Sequence, residues 1–244
     1  MEQLDLTLPS PAENLALDEV MLDLSENRRA GECLLFWEPH EVFAVVGYAN
    51  KVGTEVNVPA CEAKGVPIFR RCSGGGTVVQ MPGGLNYSLI LAIHEDGPTR
   101  NITAANQYIM ERNRRAMASL FPGGSTKGEI TVRGHTDLCV DNVKFAGNSQ
   151  RRRKHFLLFH GTILLNCDLS LISELLRMPS LQPDYRANRA HADFVTNLNV
   201  PAEVVKTALA REWQAEAVVP DPPLEEIAKL AREKYSSREW NFKF

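Results

Sequence analysis

Three consecutive glycines, Gly74-Gly75-Gly76, constrain this chain more than any other stretch. They are framed by Arg70-Arg71-Cys72-Ser73 on one side and Thr77-Val78-Val79 on the other. The apolar run Val66 to Phe69 predicts a strand entering this turn, and Thr77 to Gln80 predicts one leaving it. Without β-carbons the turn can take positive φ, and a ligand can approach its amides closely. Successive free N–H groups in such a turn form an anion-binding concavity, and two arginines add fixed positive charge beside it. Taken alone, the pattern also describes a plain glycine hairpin with two solvated arginines. It is not a Walker loop, because Gly-Lys-Ser/Thr is missing, nor a dinucleotide fingerprint, because no helix follows.

The remaining elements follow from periodicity. Asn14 to Asn27 carries Leu15, Leu17, Val20, Met21 and Leu24 at near-helical spacing. Cys33–Trp37 and Val42–Val46 are short apolar runs on either side of Glu38-Pro39-His40-Glu41, which reads as a hairpin. Val56 to Lys64 predicts a helix stopped by Gly65, and Leu85 to Ile93 a strand. Asn101 to Leu120 is the longest helical stretch, ended by Pro122-Gly123-Gly124. Strands are expected at 130–132, 137–140, 143–146 and 156–165, with Asp141-Asn142 as the tight turn before Lys144. A helix from Asp168 to about Met178, a mobile polar loop from Pro179 to Asp193 and two closing helices, Pro201–Glu212 and Pro222–Tyr235, complete the chain. Asp221 is placed to cap the last helix.

Composition narrows the function classes. The 244 residues are 44% hydrophobic, enough for one large core, and the net charge of −3 offers no overall basic field for nucleic acid or an anionic membrane. Arg151-Arg152-Arg153-Lys154, the only basic run, reads as a solvated turn. No apolar stretch reaches the roughly 18 residues of a spanning helix, and the N-terminus has no signal-peptide pattern. Five cysteines without paired spacing imply reduced thiols and a cytoplasmic protein. Cys139 and Cys167 lie in apolar runs and read as inert core thiols.

Two further stretches extend the glycine turn: Asp137 through Lys144 to Gly147-Asn148-Ser149-Gln150, and His160-Gly161-Thr162-Ile163. Together with Arg-Arg-x-Ser-Gly-Gly-Gly, in this order, they resemble the three signature segments of the lipoate–protein ligase family. Trp37-Glu-Pro-His and Val45-Val46-Gly47 look like that family's first core hairpin, and Lys234-Tyr235 to Asn241 like the end of its catalytic domain. The family's common His-Asp after the glycine strand is Gln80-Met81 here. The resemblance implies an α+β fold over residues 1–244, a single catalytic domain with a mixed, mostly antiparallel sheet flanked by helices, similar to the biotin/lipoate ligase catalytic domain.

It also implies an activity. Lipoate or octanoate would react with Mg-ATP to give an acyl-adenylate, and the acyl group would pass to a lysine of a lipoyl domain, in a 2-oxoacid dehydrogenase or a glycine cleavage carrier protein. The acyl tail would occupy an apolar tunnel behind the glycine turn. Lys144 would be the catalytic cation, since a carboxylate attacking the α-phosphate brings two anions together. Arg71, Ser73, Gly74, Gly75, Gly76, Thr77, Val78 and Val79 would form the cradle, with Gly147 and Gly161 allowing close approach. Asp137 would hold magnesium or accept backbone hydrogen bonds, and His160 would touch substrate or pack in the core. The family's frequent second domain is not seen after Phe244, which suggests either a separate small accessory subunit for the adenylation step or the use of preformed lipoyl-adenylate. Two alternatives stay open: an octanoyl or lipoyl transferase working through a cysteine thioester, and a non-catalytic lipoyl-binding protein. The transferase branches place their cysteine at the equivalent of Leu157 or before the lysine hairpin, where this chain has none; Cys72 occupies a variable position of the motif.

Overall fold

The structure is a computed structural model that describes residues 1–122 and 128–244. Its frame is an eight-stranded sheet. In chain order the strands are β1 (Glu2–Asp5), β2 (Cys33–Trp37), β6 (Gly84–Ala92), β7 (Ile130–Arg133), β8 (Asp137–Val140), β9 (Val143–Arg152), β10 (Phe156–Leu164) and β11 (Ala217–Val218). Across the sheet they lie in the order β11-β1-β2-β6-β10-β9-β8-β7. β1 pairs parallel with β11 and β2, and every other pairing is antiparallel. A second sheet contains β3 (Phe43–Val46), β4 (Ile68–Arg70) and β5 (Val78–Gln80), with β3 in the middle. The mixed, mostly antiparallel α+β architecture expected from the sequence is present, divided over two sheets.

That division corrects the hairpin expected at Trp37 and Val42. β2 bonds to β1 and β6, whereas β3 bonds to β4 and β5 in the other sheet. Glu38 to Glu41 therefore closes no hairpin, and the long-range pairing of each strand decides which sheet it joins. The chain crosses between sheets instead.

The two long central strands separate the core from the site by simple alternation. Leu85, Tyr87, Leu89 and Leu91 of β6 join Leu157, Phe159 and Ile163 of β10 in one apolar cluster. That cluster is covered by α4 (Ile102–Ala118) and α7 (Ala202–Trp213). The intervening residues point to the opposite face, where His160 is paired with Ser88 and Thr162 with Asn86. Over this face lies α1 (Pro11–Glu26), started by a capping box in which Ser10 Oγ accepts from Glu13 N and the Glu13 carboxylate accepts from Ser10 N. α1 buries Leu15, Ala16, Leu17, Val20 and Met21 together with α8 (Leu224–Leu230). A third cluster fills the space between the small sheet and the short helices α2 (Val52–Glu55), α3 (Val58–Lys64) and α5 (Ser170–Leu175). Gly65 ends α3 at φ 65°, as its position predicts.

Other expectations shift. Arg151 and Arg152 are not in a solvated turn but close β9; Arg151 donates to Cys72 O at 2.6 Å and Arg152 to Thr99 O at 2.8 Å. Asp221 does not cap α8, whose N-cap is Pro223 without a side-chain bond, and the helix gives way to a π turn over Ala231–Tyr235. Pro179 to Asp193, read as a mobile loop, carries a 3-10 turn at Asp184–Arg186 and most of α6 (His191–Phe194). α4 ends at Ala118; the stop expected at Gly123-Gly124 lies outside the described residues. The last helix, α9 (Arg238–Asn241), docks on Arg70. Among the described residues no helix is long and apolar enough to cross a membrane.

Candidate active site

The glycine turn joins β4 to β5 and leans on the large sheet. Gly75 takes φ 82°, where a β-carbon would sit 3.0 Å from the Arg71 guanidinium. Arg71 is buried and stitches the turn together, donating to Gly74 O at 2.5 Å, Gly76 O at 2.7 Å and Ser73 Oγ at 3.0 Å. Burial pushes this guanidinium down to about 10, as expected for a cation removed from water. No backbone hydrogen bond from the N–H groups of Ser73 to Thr77 is formed among the described residues. Amides without a backbone partner are available to an anion. Arg70 plays a different part. Fully buried, it donates to the carbonyls of Gly47, Tyr48, Asn50, Trp240 and Asn241 and fixes the turn's flank.

Lys144 reaches the site because of a β-bulge. Asp137 pairs with Gly147 and Leu138 with Ala146, but Cys139 pairs with Lys144, leaving Phe145 as the extra residue. Phe145 and Ala146 both turn into the core, so Lys144 comes onto the same face as Asp137. A regular ladder would have sent it to the opposite face. The turn itself, Asp141 at φ 47° and Asn142 at φ 65°, has the two left-handed residues of a tight hairpin. Lys144 Nζ lies 2.7 Å from Asp137 Oδ1. A β-carbon on Gly147 would stand 2.5 Å from that Nζ, so glycine there makes room for the lysine stem. Asp137 Oδ2 accepts from Tyr185 OH at 2.7 Å. Burial and the neighbouring Asp137 carboxylate push the Tyr185 phenol far up, so it stays a donor.

Two cavities meet at this lysine. The smaller, about 120 Å³, runs behind the turn between Leu15, Trp37, Val45 and Val78 and is bounded by Arg71 and His160. The larger, about 850 Å³, opens past Val79, Arg133, His135 and Asp137 toward Ile172 and Tyr185. Gly76, Thr77, Val78, Lys144, Gly147 and Thr162 belong to the walls of both. Ser73 and Gly74 line neither; Gly74 O is occupied by Arg71 and by Ser149 Oγ at 2.9 Å.

His160 is not a packed core histidine. Its Nδ1 lies 2.6 Å from Asp18 Oδ2 and its Nε2 2.5 Å from Ser73 Oγ. Asp18 also accepts from Ser88 Oγ at 2.6 Å. Gly161 borders the smaller cavity with its backbone, but it is glycine because the Asn148 side chain fills the space on its other side. Gln80, at the departure from the family pattern, exchanges two hydrogen bonds with Asn86 and donates to Thr162.

The magnesium role considered for Asp137 does not fit the donor set. Both its oxygens are engaged, by Lys144 and Tyr185, and among the described residues no three His, Cys, Asp or Glu side chains are grouped so that they could hold a metal ion. The five cysteines are free thiols. All are buried, and burial pushes Cys33 and Cys72 up to about 12, Cys167 to about 11, and Cys61 and Cys139 above their ordinary value.

Sequence reasoning missed Asp18 and Tyr185. For Asp18 a signal existed: Asp18-Glu19 interrupts the apolar helix α1, and both residues are buried, Glu19 against Lys234 and Tyr235. Tyr185 sits in a stretch with no periodicity, so nothing local could mark it.

Comparison with known proteins gives a consistent picture. The model of the lipoyl protein ligase A/B catalytic domain matches residues 10–217. The octanoyltransferase LipM of Geobacillus kaustophilus is 29% identical, over 96% of this chain and 94% of its own. Lipoate–protein ligase 1 of Staphylococcus aureus is 28% identical, over 96% of this chain and 71% of its own. Among solved structures, a bi-partite lipoate protein ligase from Thermoplasma acidophilum, studied with its E2 lipoyl domain, superposes with a TM-score of 0.79 at 21% identity. The superposition covers 99% of this chain and 95% of that one.

Proposed function

Since the chain belongs to the lipoyl protein ligase A/B catalytic domain family, we propose that it is an ATP-dependent lipoate–protein ligase. The observation that carries this reading is Lys144 standing in the wall common to two cavities. The smaller takes the acyl chain of lipoate or octanoate against Leu15, Trp37, Val45 and Val78. The larger takes ATP as the second substrate, with Arg133 and the free turn amides available to its phosphates. The carboxylate then meets the α-phosphate at the lysine.

In the first step a carboxylate oxygen bonds to the α-phosphorus and pyrophosphate leaves. Lys144 offsets the approach of two anions and stabilises the charge that accumulates in transfer, a preorganised contribution of the kind that dominates phosphoryl chemistry. In the second step the amine of an acceptor lysine attacks the anhydride carbonyl. AMP leaves, and the amine gives up its proton. The acceptor is a lipoyl domain.

ATP–pyrophosphate exchange that depends on lipoate tests this directly, followed by the mass of an acceptor domain after incubation with ATP and lipoate. The transferase reading has the similarity to an octanoyltransferase in its favour and the buried, un-ionised thiols against it. Cys72→Ser is therefore expected to retain ATP-dependent lipoylation, and intact-mass measurement with an octanoyl thioester is expected to show no cysteine adduct. An adduct on the wild type that disappears together with activity in Cys72→Ser would overturn the ligase reading. A protein that binds lipoate yet shows neither activity would be a non-catalytic lipoyl-binding protein.

A further inference from the structure

We propose that Asp18 is a positioning residue that acts through His160 and Ser73 to hold the glycine turn in its ligand-binding form. Four hydrogen bonds lead to this. Arg71 Nε lies 3.0 Å from Ser73 Oγ, Ser73 Oγ 2.5 Å from His160 Nε2, His160 Nδ1 2.6 Å from Asp18 Oδ2, and Ser88 Oγ 2.6 Å from Asp18 Oδ1. A guanidinium can only donate and an ionised carboxylate can only accept. With both ends fixed, an imidazole that holds a single ring proton carries it on Nδ1, and the Ser73 hydroxyl proton points at Nε2. All donors then run the same way, from Arg71 toward Asp18, and bonds aligned in sequence polarise one another.

The chain answers an electrostatic problem. Arg71 is 8% exposed and makes no ion pair among the described residues. Asp18, 3% exposed, is the carboxylate to which it is connected, through Ser73 and His160. A buried charge without such compensation is strongly unfavourable. The carbonyls of Gly74 and Gly76 hang on this same guanidinium, so the orientation of the turn's amides depends on a side chain in a helix on the other side of the cavity. Resting on the lipoate reading of the site, this makes α1 a determinant of affinity for the acyl ligand.

The same three residue types make nucleophilic triads elsewhere, but the surroundings here favour positioning. Ser73 is 2% exposed, lines neither cavity, and already accepts from Arg71. His160 and Asp18 are the members that face the cavity.

The test is nitrogen-15 NMR of His160 at a pH where its imidazole is neutral, with lipoate affinity measured alongside by calorimetry. The wild type is expected to show the Nδ1–H tautomer. In Asp18→Asn the amide can donate to Nδ1, so the Nε2–H tautomer is expected, and lipoate should bind about tenfold more weakly or worse. A wild-type Nε2–H tautomer, which needs no variant to observe, would overturn the proposal. So would a folded Asp18→Asn protein with wild-type affinity, or an acyl adduct on Ser73 after exposure to an octanoyl thioester. A wild type that binds no lipoate would refute the ligase reading alone, because the tautomer reports on the relay independently.

Discussion

At the scale of single residues, the site depends on two positions whose neighbours leave little latitude. Lys144→Ala removes the cation between the two cavities while Asp137 keeps its Tyr185 donor. Loss of one preorganised charge partner is worth about 3 kcal/mol or more in the transition state, so lipoyl transfer should fall by about two orders of magnitude or more. Circular dichroism should show the fold retained; near wild-type transfer would make Lys144 a bystander. Gly75→Val places a β-branched side chain at φ 82° and against the Arg71 guanidinium. Lipoate affinity should drop more steeply than the melting temperature, because the displaced atoms are those that hold the turn. A folded valine variant that binds lipoate normally would reduce the turn to a hairpin.

Among the elements, the hairpin β8–β9 and the segment from Pro179 to Asp193 act together. Tyr185 orients Asp137, and Asp137 orients Lys144. Tyr185→Phe leaves one carboxylate oxygen without its donor, a loss of about 1 to 3 kcal/mol for a hydrogen bond to a charged group. The expected outcome is a kcat for transfer lowered about tenfold or more with lipoate affinity unchanged, since Tyr185 lines only the larger cavity. Weaker lipoate binding with kcat intact would place Tyr185 in the acyl site instead. These elements also show what a sequence makes legible. The glycine turn, the Asp141-Asn142 hairpin and the Gly65 stop depend on local backbone chemistry, so the residue types alone mark them. The register of β9 is different: one extra residue at Phe145 decides which face Lys144 occupies, and the bulge has no glycine or proline to announce it. The partition into two sheets is likewise hidden, because Cys33–Trp37 and Phe43–Val46 are equally apolar and only long-range pairing tells them apart. Asp18 could be suspected from its place inside an apolar helix, but its partners are 70 and 142 residues away.

For the whole molecule, the buried thiols predict an alkaline limit. Cys33 and Cys72 rise from an ordinary value of 9.0 to about 12 on folding. Above pH 9 the unfolded chain releases these protons while the folded one keeps them, so their contribution to stability is complete below pH 9 and is lost as pH rises toward 12. Urea titrations should show the midpoint declining across that range, and less so in a Cys33→Ala, Cys72→Ala protein. A midpoint independent of pH above 9 would mean that the thiols ionise freely in the folded state. The ionisation of other groups at high pH acts equally on both proteins, which is why the comparison is made between them.

The position of β6 has a consequence for how the chain is made. Its residues, buried from Gly84 to Leu91, lie between β2, already synthesised, and β10, whose register pairs Phe156 with Ala92. Until the ribosome has delivered residues 156–164, one edge of an apolar strand stands open, and an open apolar edge is a template for pairing with other chains. His160 arrives on that same late strand. The candidate site is therefore completed late, and a nascent chain that stalls before residue 156 is expected to lack it and to aggregate through the open edge of β6.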